Sequence, residues 1–287
     1  MSKLQALLDI ASHYGCRYKI KYGASKTKIT IVGSQADMQF YSDTKPWIMD
    51  GEQVKVVENN DHLGQIVSGY RQEEKNIDER ILKGRNNLFG MLGAAFSYKC
   101  HLSPVLKIHL FRTFTCPIII SGLSSFALRT KQLHPLLIFH RKILKSFLSL
   151  SKTAPTPALH FILGELPMEG KIHRDVFSLF HSVWTNENTK IDEIVKYLLT
   201  MASESSRTWC SFLRELSQKY DMKSPLEWLR EDPPSRSQYK EYVMTKITSY
   251  YERELRVDAS ENSCMQFLHV QMTGLRGRHH PAIANIT

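Results

Sequence analysis

The hydrophobic pattern of this chain changes at Gly69. Before that residue, apolar side chains occur in short runs bounded by turn residues, which is typical of β-strands. After it, they recur every three or four positions, as they do along amphipathic helices. A segment patterned for a strand does not settle as a helix, nor the reverse. We therefore expect an α+β fold in which a small antiparallel sheet with one helix precedes a mostly helical array.

The part before Gly69 contains the following predicted elements: a helix from Ser2 to Tyr14, ended by Gly15, and strands at Arg17–Lys21, Lys28–Val32, Gln53–Val57 and His62–Val67. Four short strands and one helix form too few layers to close a core comfortably. One face of this sheet is therefore expected to need a further covering element.

The part after Gly69 is predicted to be a series of helices separated by Pro, Gly and Asn clusters. The first contains Ile77, Ile81, Leu82, Leu88 and Leu92 on one face, and Arg80, Lys83 and Arg85 on the other. The later ones are expected at Pro104–Phe114, Gln132–Leu150, Gly170–Trp184, Lys190–Met201, Ser206–Tyr220 and Ser235–Leu255.

One long segment, residues 80–164, contains no Asp or Glu. Its twelve basic residues are Arg80, Lys83, Arg85, Lys99, Lys107, Arg112, Arg129, Lys131, Arg141, Lys142, Lys145 and Lys152. The chain has 38 basic and 28 acidic residues, so the rest of it carries 26 basic residues against those 28 acidic ones. The whole net charge of +10 therefore comes from this segment.

Soluble helical surfaces normally mix charges of both signs, because like charges repel and opposite charges one helical turn apart stabilise a helix slightly. A long acid-free segment favours a polyanionic partner that neutralises it. Nucleic acid is one such partner, and an anionic membrane surface or an acidic protein is another. A basic face that has no ligand is the third alternative.

Neither a membrane span nor a secretory signal is expected. The most apolar stretch, Leu102–Leu128, is interrupted by Lys107, His109, Arg112 and Pro117, and the N-terminal apolar run is too short and polar for a signal core. The five cysteines are scattered and never in a C-x-x-C arrangement. We expect reduced thiols without structural zinc, in a nuclear or cytoplasmic protein that is not secreted.

The stretch Tyr22–Gly33, YGASKTKITIVG, looks at first like a phosphate-binding loop. A nucleotide-binding loop of that kind requires a glycine directly before its lysine, between a strand and a helix. Here Ser25 precedes Lys26, and the lysine stands before a predicted strand. The segment is therefore not expected to bind a nucleotide as a P-loop does.

Three motifs in the first ninety-two residues resemble the reverse transcriptases of non-LTR retrotransposons, of the jockey or CR1 kind. Tyr22–Thr27 resembles the N-P-x-K-[ST] segment of that family, with Gly23 and Ala24 in place of Asn-Pro. His62-Leu63-Gly64 resembles the [YF]-L-G of the primer-grip hairpin, with a histidine in place of the aromatic residue. Ile77–Arg85 resembles the first helix of the thumb. The motifs occur in the family's order, ahead of the acid-free segment.

This resemblance implies a domain organisation. Residues 1–69 would be the last part of a palm, 70–165 a basic helical thumb, 166–257 a C-terminal helical domain and 258–287 a tail. The chain would bind a primer-template duplex of RNA and DNA. The expected nucleic-acid contacts are Lys26, Leu63, Gly64, Arg80, Lys83 and Arg85.

For Lys26, the resemblance implies the place of the palm lysine near the leaving pyrophosphate, where a cation stabilises developing negative charge. The alternative is an exposed lysine in a turn that enters a strand. Arg80, Lys83 and Arg85 are expected to contact phosphates without regard to base sequence. Of these, Arg80 and Lys83 are one helical turn apart and are expected to share a face.

Polymerase chemistry requires magnesium held by carboxylates, which the family supplies from an early Asp and a [YF]-x-D-D hairpin. This sequence contains no Asp-Asp pair. We therefore expect a fragment of an RNA-directed DNA polymerase that has no catalytic residues or cofactor of its own. The alternative is a non-enzymatic helical interaction protein whose basic surface binds an acidic protein or a membrane.

Overall fold

The computed structural model describes residues 3–23, 25–33, 46–92, 102–186, 189–201 and 208–261, together with residue 265. The chain forms a mixed α+β structure that divides into two compact units, residues 1–76 and 77–287. The predicted boundary at residue 69 lies close to this division. The predicted tail, 258–287, falls mostly outside the described residues.

The first unit combines helix α1, Lys3–Tyr18, with two small sheets. The larger sheet has the order β1-β3-β2, with β1 at Lys28–Thr30, β2 at Trp47–Met49 and β3 at Glu52–Val57. The Gln5 side chain joins α1 to this sheet, because it donates to the carbonyl of Ile48 at 2.7 Å and accepts from its N–H at 3.1 Å.

The prediction of an antiparallel sheet is correct for the β2–β3 pair and wrong for β1–β3. Strand β1 runs parallel to β3, with Lys28 opposite Lys55 and Thr30 opposite Val57. Parallel neighbours cannot be joined by a tight turn, and β2 lies between β1 and β3 in the sequence. The register of β2 against β3 pairs Met49 with Glu52, as in a tight hairpin.

The predicted strand at Arg17–Lys21 does not form, because α1 continues past Gly15 as far as Tyr18. Gly15 is buried, and the chain folds back over it so that the Ile20 N–H donates to its carbonyl at 2.9 Å. A Cβ at position 15 would lie 2.6 Å from the Ile20 carbonyl oxygen. This glycine therefore permits a close backbone approach instead of ending the helix.

The predicted strand His62–Val67 is a hairpin with its turn in the middle. Strand β4, Asn59–His62, pairs antiparallel with β5, Gln65–Ser68, with His62 opposite Gln65. The two turn residues, Leu63 and Gly64, have positive φ angles of 49° and 77°. Positive φ at both central residues is the geometry of a type I′ turn, whose twist matches that of antiparallel strands.

The second unit is helical in its described part. Helix α2, Gln72–Leu92, runs into it, and the later helices are α3 Pro104–Leu110, α4 Cys116–Ile120, α5 Thr130–Phe147, α6 Thr156–Leu163, α7 Met168–Trp184, α8 Thr189–Met201, α9 Trp209–Lys219, α10 Pro225–Trp228 and α11 Arg236–Glu261. The predicted helices are present within a few residues of their expected bounds. Three of those observed were not predicted: α4, α6 and the single turn α10.

Helices α3 and α4 are joined by one π-helical turn, Phe111–Thr115. Pro117 follows that turn, and it has no N–H to donate to an earlier carbonyl. A π turn is a known way to insert such a residue without ending a helix. The segment Pro104–Ser125 is long and apolar enough by composition to cross a membrane. Ile108, Phe111 and Ile119 in it are completely buried within the unit.

The second unit contains two large hydrophobic clusters, and α7 contributes to both. Met168 and Ile172 at its start pack into the cluster that includes α3, α4 and α5. Val176, Phe177 and Phe180 pack into the cluster that includes α9 and α11. The predicted domain boundary at residue 165 therefore falls just before a helix that packs into both clusters of one compact unit.

Candidate nucleic-acid interface

Lys26 lies in an exposed turn directly before β1. The N–H groups of Lys26 and Thr27 both donate to the carbonyl of Gly23, at 2.9 and 3.0 Å, and these bonds hold the turn closed. Two roles were considered for Lys26, a contact to the leaving pyrophosphate and an ordinary lysine in a strand-entry turn. Both require an exposed side chain. The structure thus gives Lys26 an accessible charge and a defined backbone.

Leu63 and Gly64 form the tip of the β4–β5 hairpin, where the Leu63 side chain is 90% exposed. A leucine in the left-handed region is strained by about 1–2 kcal/mol, because its Cβ crowds the following carbonyl. Leucine is therefore not favoured at this tip by its backbone conformation, and it gains nothing there from burial. A role in binding at the surface is compatible with its exposure. Lys26, Leu63 and Gly64 belong to the first unit.

Arg80 does not lie at the surface. It is 7% exposed, and its Nη1 donates to the carbonyl of Ile118 at 3.5 Å. The buried face of α2 carries Ile77, Arg80, Gly84 and Leu88, spaced by three or four residues. The expectation that Arg80 shares an exposed face with Lys83 is therefore wrong.

Lys83 and Arg85 remain on the solvent side of α2. Lys83 Nζ lies 3.1 Å from the Glu79 carboxylate, one turn earlier, so its charge is partly neutralised within the helix. Arg85 is exposed, and its guanidinium carbon lies 6.0 Å from the centroid of the Phe139 ring on α5. Of the three basic residues predicted on this helix, Arg85 has the charge that is most available to a phosphate.

The acid-free segment supplies basic residues of two kinds. Some are buried or paired: Arg80 and Lys107 are buried, Arg112 pairs with Glu165, Arg129 pairs with Glu215, and Lys83 pairs with Glu79. The others lie at least partly at the surface: Arg85, Lys131, Arg141, Lys142, Lys145 and Lys152. Lys99 lies outside the described residues. The length of the acid-free segment therefore overstates how much of it is free to bind an anion.

Helix α5 organises the surface cations. Its inner face is buried through Leu133, Leu136, His140, Leu144 and Phe147, while its opposite face carries Lys131, Lys142 and Lys145. These three lysines span 14 residues, or about 21 Å of helix at the ordinary rise.

Arg85 and Lys152 extend this surface. Arg85 lies over Phe139, and Phe139 is one turn before Lys142. Lys145 donates to the backbone carbonyl of Lys152. We name this surface the basic face and define it as Arg85, Lys131, Lys142, Lys145 and Lys152. Within the described part of the chain, no carboxylate lies within salt-bridge distance of these five side chains.

A second polar site is buried in the same unit, around Glu165. This glutamate is 1% exposed and accepts from Arg112 Nε at 2.6 Å and from Lys171 Nζ. Arg112 also donates from Nη2 to the carbonyls of Leu163 and Gly164, at 2.9 and 2.7 Å. Burial opposes the charged carboxylate, but Lys171 and Arg112 beside it hold the pKa of Glu165 well below its usual range.

Two histidines beside Glu165 stay neutral. His160 Nδ1 lies 2.7 Å from the Glu165 backbone carbonyl, and burial lowers the pKa of His160 to about 3. His140 Nε2 lies 3.8 Å from the Glu165 carboxylate, and burial likewise lowers the pKa of His140. The cluster therefore holds two cations, Arg112 and Lys171, against the single anion Glu165.

A cavity of about 490 Å³ opens over this cluster. Its lining consists of Arg112, Cys116, Pro117, Ile120, Gly164, Glu165, Leu166, Lys171, Arg174, Glu241, Met244 and Thr248. Sequence reasoning did not find it, because its charged residues come from four separate helices and connections. The sequence signal that was present is the position of Glu165 as the first carboxylate after 85 positions without one.

A series of hydrogen-bonded polar side chains runs through the second hydrophobic cluster. His173 Nδ1 and the Tyr220 hydroxyl are 2.6 Å apart, Tyr220 donates to Tyr251 at 3.2 Å, and Tyr251 donates to Glu169 at 2.8 Å. This order requires the proton of His173 on Nδ1. Burial lowers the pKa of His173 to about 3, so this imidazole is neutral.

No protein-family model, no curated protein and no solved structure matches this chain. Its residues and geometry are therefore the basis for a functional assignment. Among the described residues, no group of three or more His, Cys, Asp or Glu side chains is placed to hold a metal ion. The exposed basic face and the cavity over Glu165 are the two candidate binding sites.

Proposed function

We propose that this chain binds a nucleic-acid duplex through the basic face, as the thumb of a non-LTR retrotransposon reverse transcriptase binds its primer-template. The observation that carries the proposal is the set of five surface cations without a carboxylate partner among the described residues. Elsewhere in the unit, basic side chains such as Arg112 and Arg129 are paired with carboxylates. An external polyanion would neutralise the charge of these five cations.

The dimensions of the basic face fit a duplex. Lys131 to Lys145 spans about 21 Å along α5, and duplex DNA presents one phosphate per ~1.7 Å of its axis when both strands are counted. A helix of this length laid along the backbone reaches several phosphates. Such contacts position a duplex without reading its sequence, which is the requirement for a protein that moves along a template.

The order of motifs also supports the proposal. The turn containing Lys26, the hairpin tip at Leu63-Gly64 and the helix containing Arg85 follow one another as the resemblance implies. Leu63 is an exposed apolar side chain at a hairpin tip, a suitable shape for packing against a sugar or base. Arg80 is removed from the proposed contacts because it is buried, and Lys83 is a weaker contact because it is paired with Glu79.

The test is a charge-neutral triple variant of α5, Lys131→Gln with Lys142→Gln and Lys145→Gln. Affinity for an RNA–DNA duplex is expected to fall at least tenfold at low salt, because three phosphate contacts are lost. The slope of log K against log salt should become shallower by about 2.7, since each contact contributes roughly 0.9. Fluorescence anisotropy over a salt series measures both quantities.

A matched control removes the same charge elsewhere in the same unit. Arg230→Gln with Arg236→Gln and Lys240→Gln changes three exposed cations outside the basic face. This variant should retain most of the duplex affinity and the slope. Equal losses in the two triple variants would show that net charge alone drives binding, and would contradict the proposed face.

Competition separates nucleic acid from the membrane alternative. Phosphatidylserine vesicles are added to the labelled duplex complex at equal phosphate concentration. The duplex should remain bound, because α5 laid along its backbone contacts regularly spaced phosphates. If vesicles displace it completely, and the α5 triple variant loses vesicle binding, the basic face is a membrane-binding surface instead.

A further inference from the structure

The cavity over Glu165 has a charge excess at its floor. Glu165 is 1% exposed and Lys171 is 8% exposed, and both line the cavity, as does Arg112. Two cations and one carboxylate leave one positive charge beside the buried Glu165, and the Arg112 side chain is partly exposed. The Cys116 thiol does not offset it, since burial raises the pKa of this thiol. A buried net charge is costly unless something compensates it.

The donors around the floor are also incompletely used. Within the described residues, the hydrogen bonds of Arg112 involve Nε and Nη2, which leaves Nη1 for the cavity. Arg174 uses Nε and Nη2 on the neighbouring Asp175, at 2.8 and 2.7 Å. The hydroxyl of Thr248, a residue 3% exposed, belongs to the same lining. Two arginines, one lysine and one threonine thus line the same cavity.

The remaining lining restricts the ligand further. Pro117, Ile120, Leu166 and Met244 give the cavity an apolar wall. The second lining carboxylate, Glu241, is exposed and therefore lies toward solvent, while Glu165 is at the floor. The cavity is thus positive at depth and negative toward solvent. An anionic group is favoured at the floor, with a flat or apolar body against the wall.

We propose that this cavity binds a phosphate monoester, with its phosphate at Arg112, Lys171 and Arg174 and its organic part against the apolar wall. Arginine and lysine donate charge-assisted hydrogen bonds to phosphate oxygens, and a second charged donor suits the dianion. A volume of about 490 Å³ is within the range of small-molecule sites. The monoester is either a free nucleotide or the 5′ end of a nucleic-acid strand.

This site is separate from the basic face. Its lining residues are all outside the set defined as that face, so it does not depend on the proposed duplex binding. A 5′-phosphate pocket would let the protein recognise strand ends, whereas a nucleotide pocket would make its stability or affinity respond to nucleotide concentration.

The experiment uses the full chain and titration calorimetry with AMP, inorganic phosphate and acetate. We expect AMP to bind, phosphate to bind more weakly, and acetate to give no saturable heat at the same concentrations. Arg174→Gln should weaken AMP binding about tenfold through loss of one charged contact. Glu241→Gln should strengthen AMP binding about threefold at low salt, because it removes a repelling charge at the solvent side of the cavity.

The matched control is Arg129→Gln, which removes another arginine paired with a surface carboxylate, outside the cavity lining. It should leave AMP binding unchanged. Because Arg174, Glu241 and Arg129 are all at least partly exposed, these variants are expected to fold, and circular dichroism checks that they do. The proposal would be overturned if AMP did not bind or if acetate bound as tightly as AMP. It would also be overturned if Arg174→Gln and Glu241→Gln both bound AMP with the affinity of the unsubstituted protein.

A second comparison identifies the source of the phosphate. Two single-stranded oligonucleotides of one sequence, with a 5′-phosphate or a 5′-hydroxyl, are bound to the protein that carries the α5 triple substitution. Tighter binding of the phosphorylated strand, lost in Arg174→Gln, assigns the cavity to strand ends. AMP binding without any such preference assigns it to free nucleotides.

Discussion

Arg112 Nε lies 2.6 Å from Oε2 of Glu165, although 52 residues separate the two in the chain and Glu165 is almost completely buried. Arg112 therefore joins the π-helical turn after α3 to the connection between α6 and α7. Lys171 donates to the other carboxylate oxygen from the first turns of α7. One carboxylate thus holds three segments of the second unit together.

The first prediction is that Glu165→Gln strongly destabilises the second unit. The substitution preserves shape but leaves Arg112 and Lys171 beside each other without a counter-charge. Removing one partner of a buried ion pair costs about 3–5 kcal/mol. The free energy of unfolding is measured by urea denaturation.

Glu215→Gln is the matched control for this substitution, because Glu215 pairs with Arg129 where both side chains are nearly half exposed. Surface pairs contribute less than about 1 kcal/mol. Similar losses in the two variants would contradict a central role for Glu165.

The second prediction concerns pH. His160 and His173 are buried with pKa values lowered to about 3, from an ordinary value of 6.5. Below pH 6.5 the unfolded chain takes up protons that the folded protein does not, so stability is lost as the pH falls from 6.5 toward 3. Each histidine is expected to cost about 1 kcal/mol between pH 7.5 and 5.5. Urea denaturation at both pH values measures the loss.

Substitution of one histidine tests the cause. His173→Gln removes one of the buried imidazoles whose pKa is lowered, so the loss between pH 7.5 and 5.5 should shrink by about 1 kcal/mol. His134→Gln changes an exposed histidine on α5 and should leave the pH dependence as it is. If neither substitution changes the slope, other groups control the acid sensitivity.

The third prediction concerns the packing of α2 against α4. A Cβ at Gly84 would lie 2.4 Å from Cγ1 of Ile119, a contact that real Cβ atoms do not make. Gly84→Ala is therefore expected to cost about 1–3 kcal/mol through overpacking. Gly90, on the same helix, has nothing within 4 Å of an added Cβ.

Gly90→Ala is expected to stabilise the protein by about 0.5–1 kcal/mol, since alanine loses less backbone entropy in a helix. Thermal unfolding of the two variants gives the comparison. Opposite signs support the observed packing face of α2, and two stabilising substitutions would place Gly84 away from a neighbouring helix.

The fourth prediction concerns the β4–β5 hairpin. Gly64 has a φ of 77°, so Gly64→Ala should cost about 1–2 kcal/mol. Leu63→Asn should stabilise the same turn, because asparagine tolerates the left-handed region that leucine adopts at 49°. Hydrogen exchange of the β4 and β5 amides measures both effects. A loss of duplex affinity in the folded Leu63→Asn variant would then report a contact by the leucine side chain itself.

The sequence predicted the change from strands to helices, and most of the helices with it. These elements were predictable because each is amphipathic, so its own residues show which face is buried. Helix α6, Thr156–Leu163, was missed because it is apolar nearly all round and short, and such a segment has no periodicity to detect. The parallel pairing of β1 with β3 was missed because pairing direction depends on the path of the connection.

The charge pattern by itself determined that the second unit is the basic part of the protein. It did not determine which cations are available. Arg80 and Arg85 have the same chemistry and are five residues apart. Arg80 is buried and donates to the carbonyl of Ile118, whereas Arg85 is exposed and lies over the ring of Phe139. The direction of each side chain depends on where α2 meets its neighbouring helices, and Gly84 sets that contact.

Tertiary structure alone decided the role of Glu165 and the existence of the cavity above it. A carboxylate at the end of an acid-free segment is visible in the sequence, but its partners come from a turn 53 residues earlier and a helix six residues later. Long-range packing brings these charges together because a buried carboxylate must be paired. The sequence determines which charges the protein has, and folding decides which of them neutralise one another and which remain for a partner.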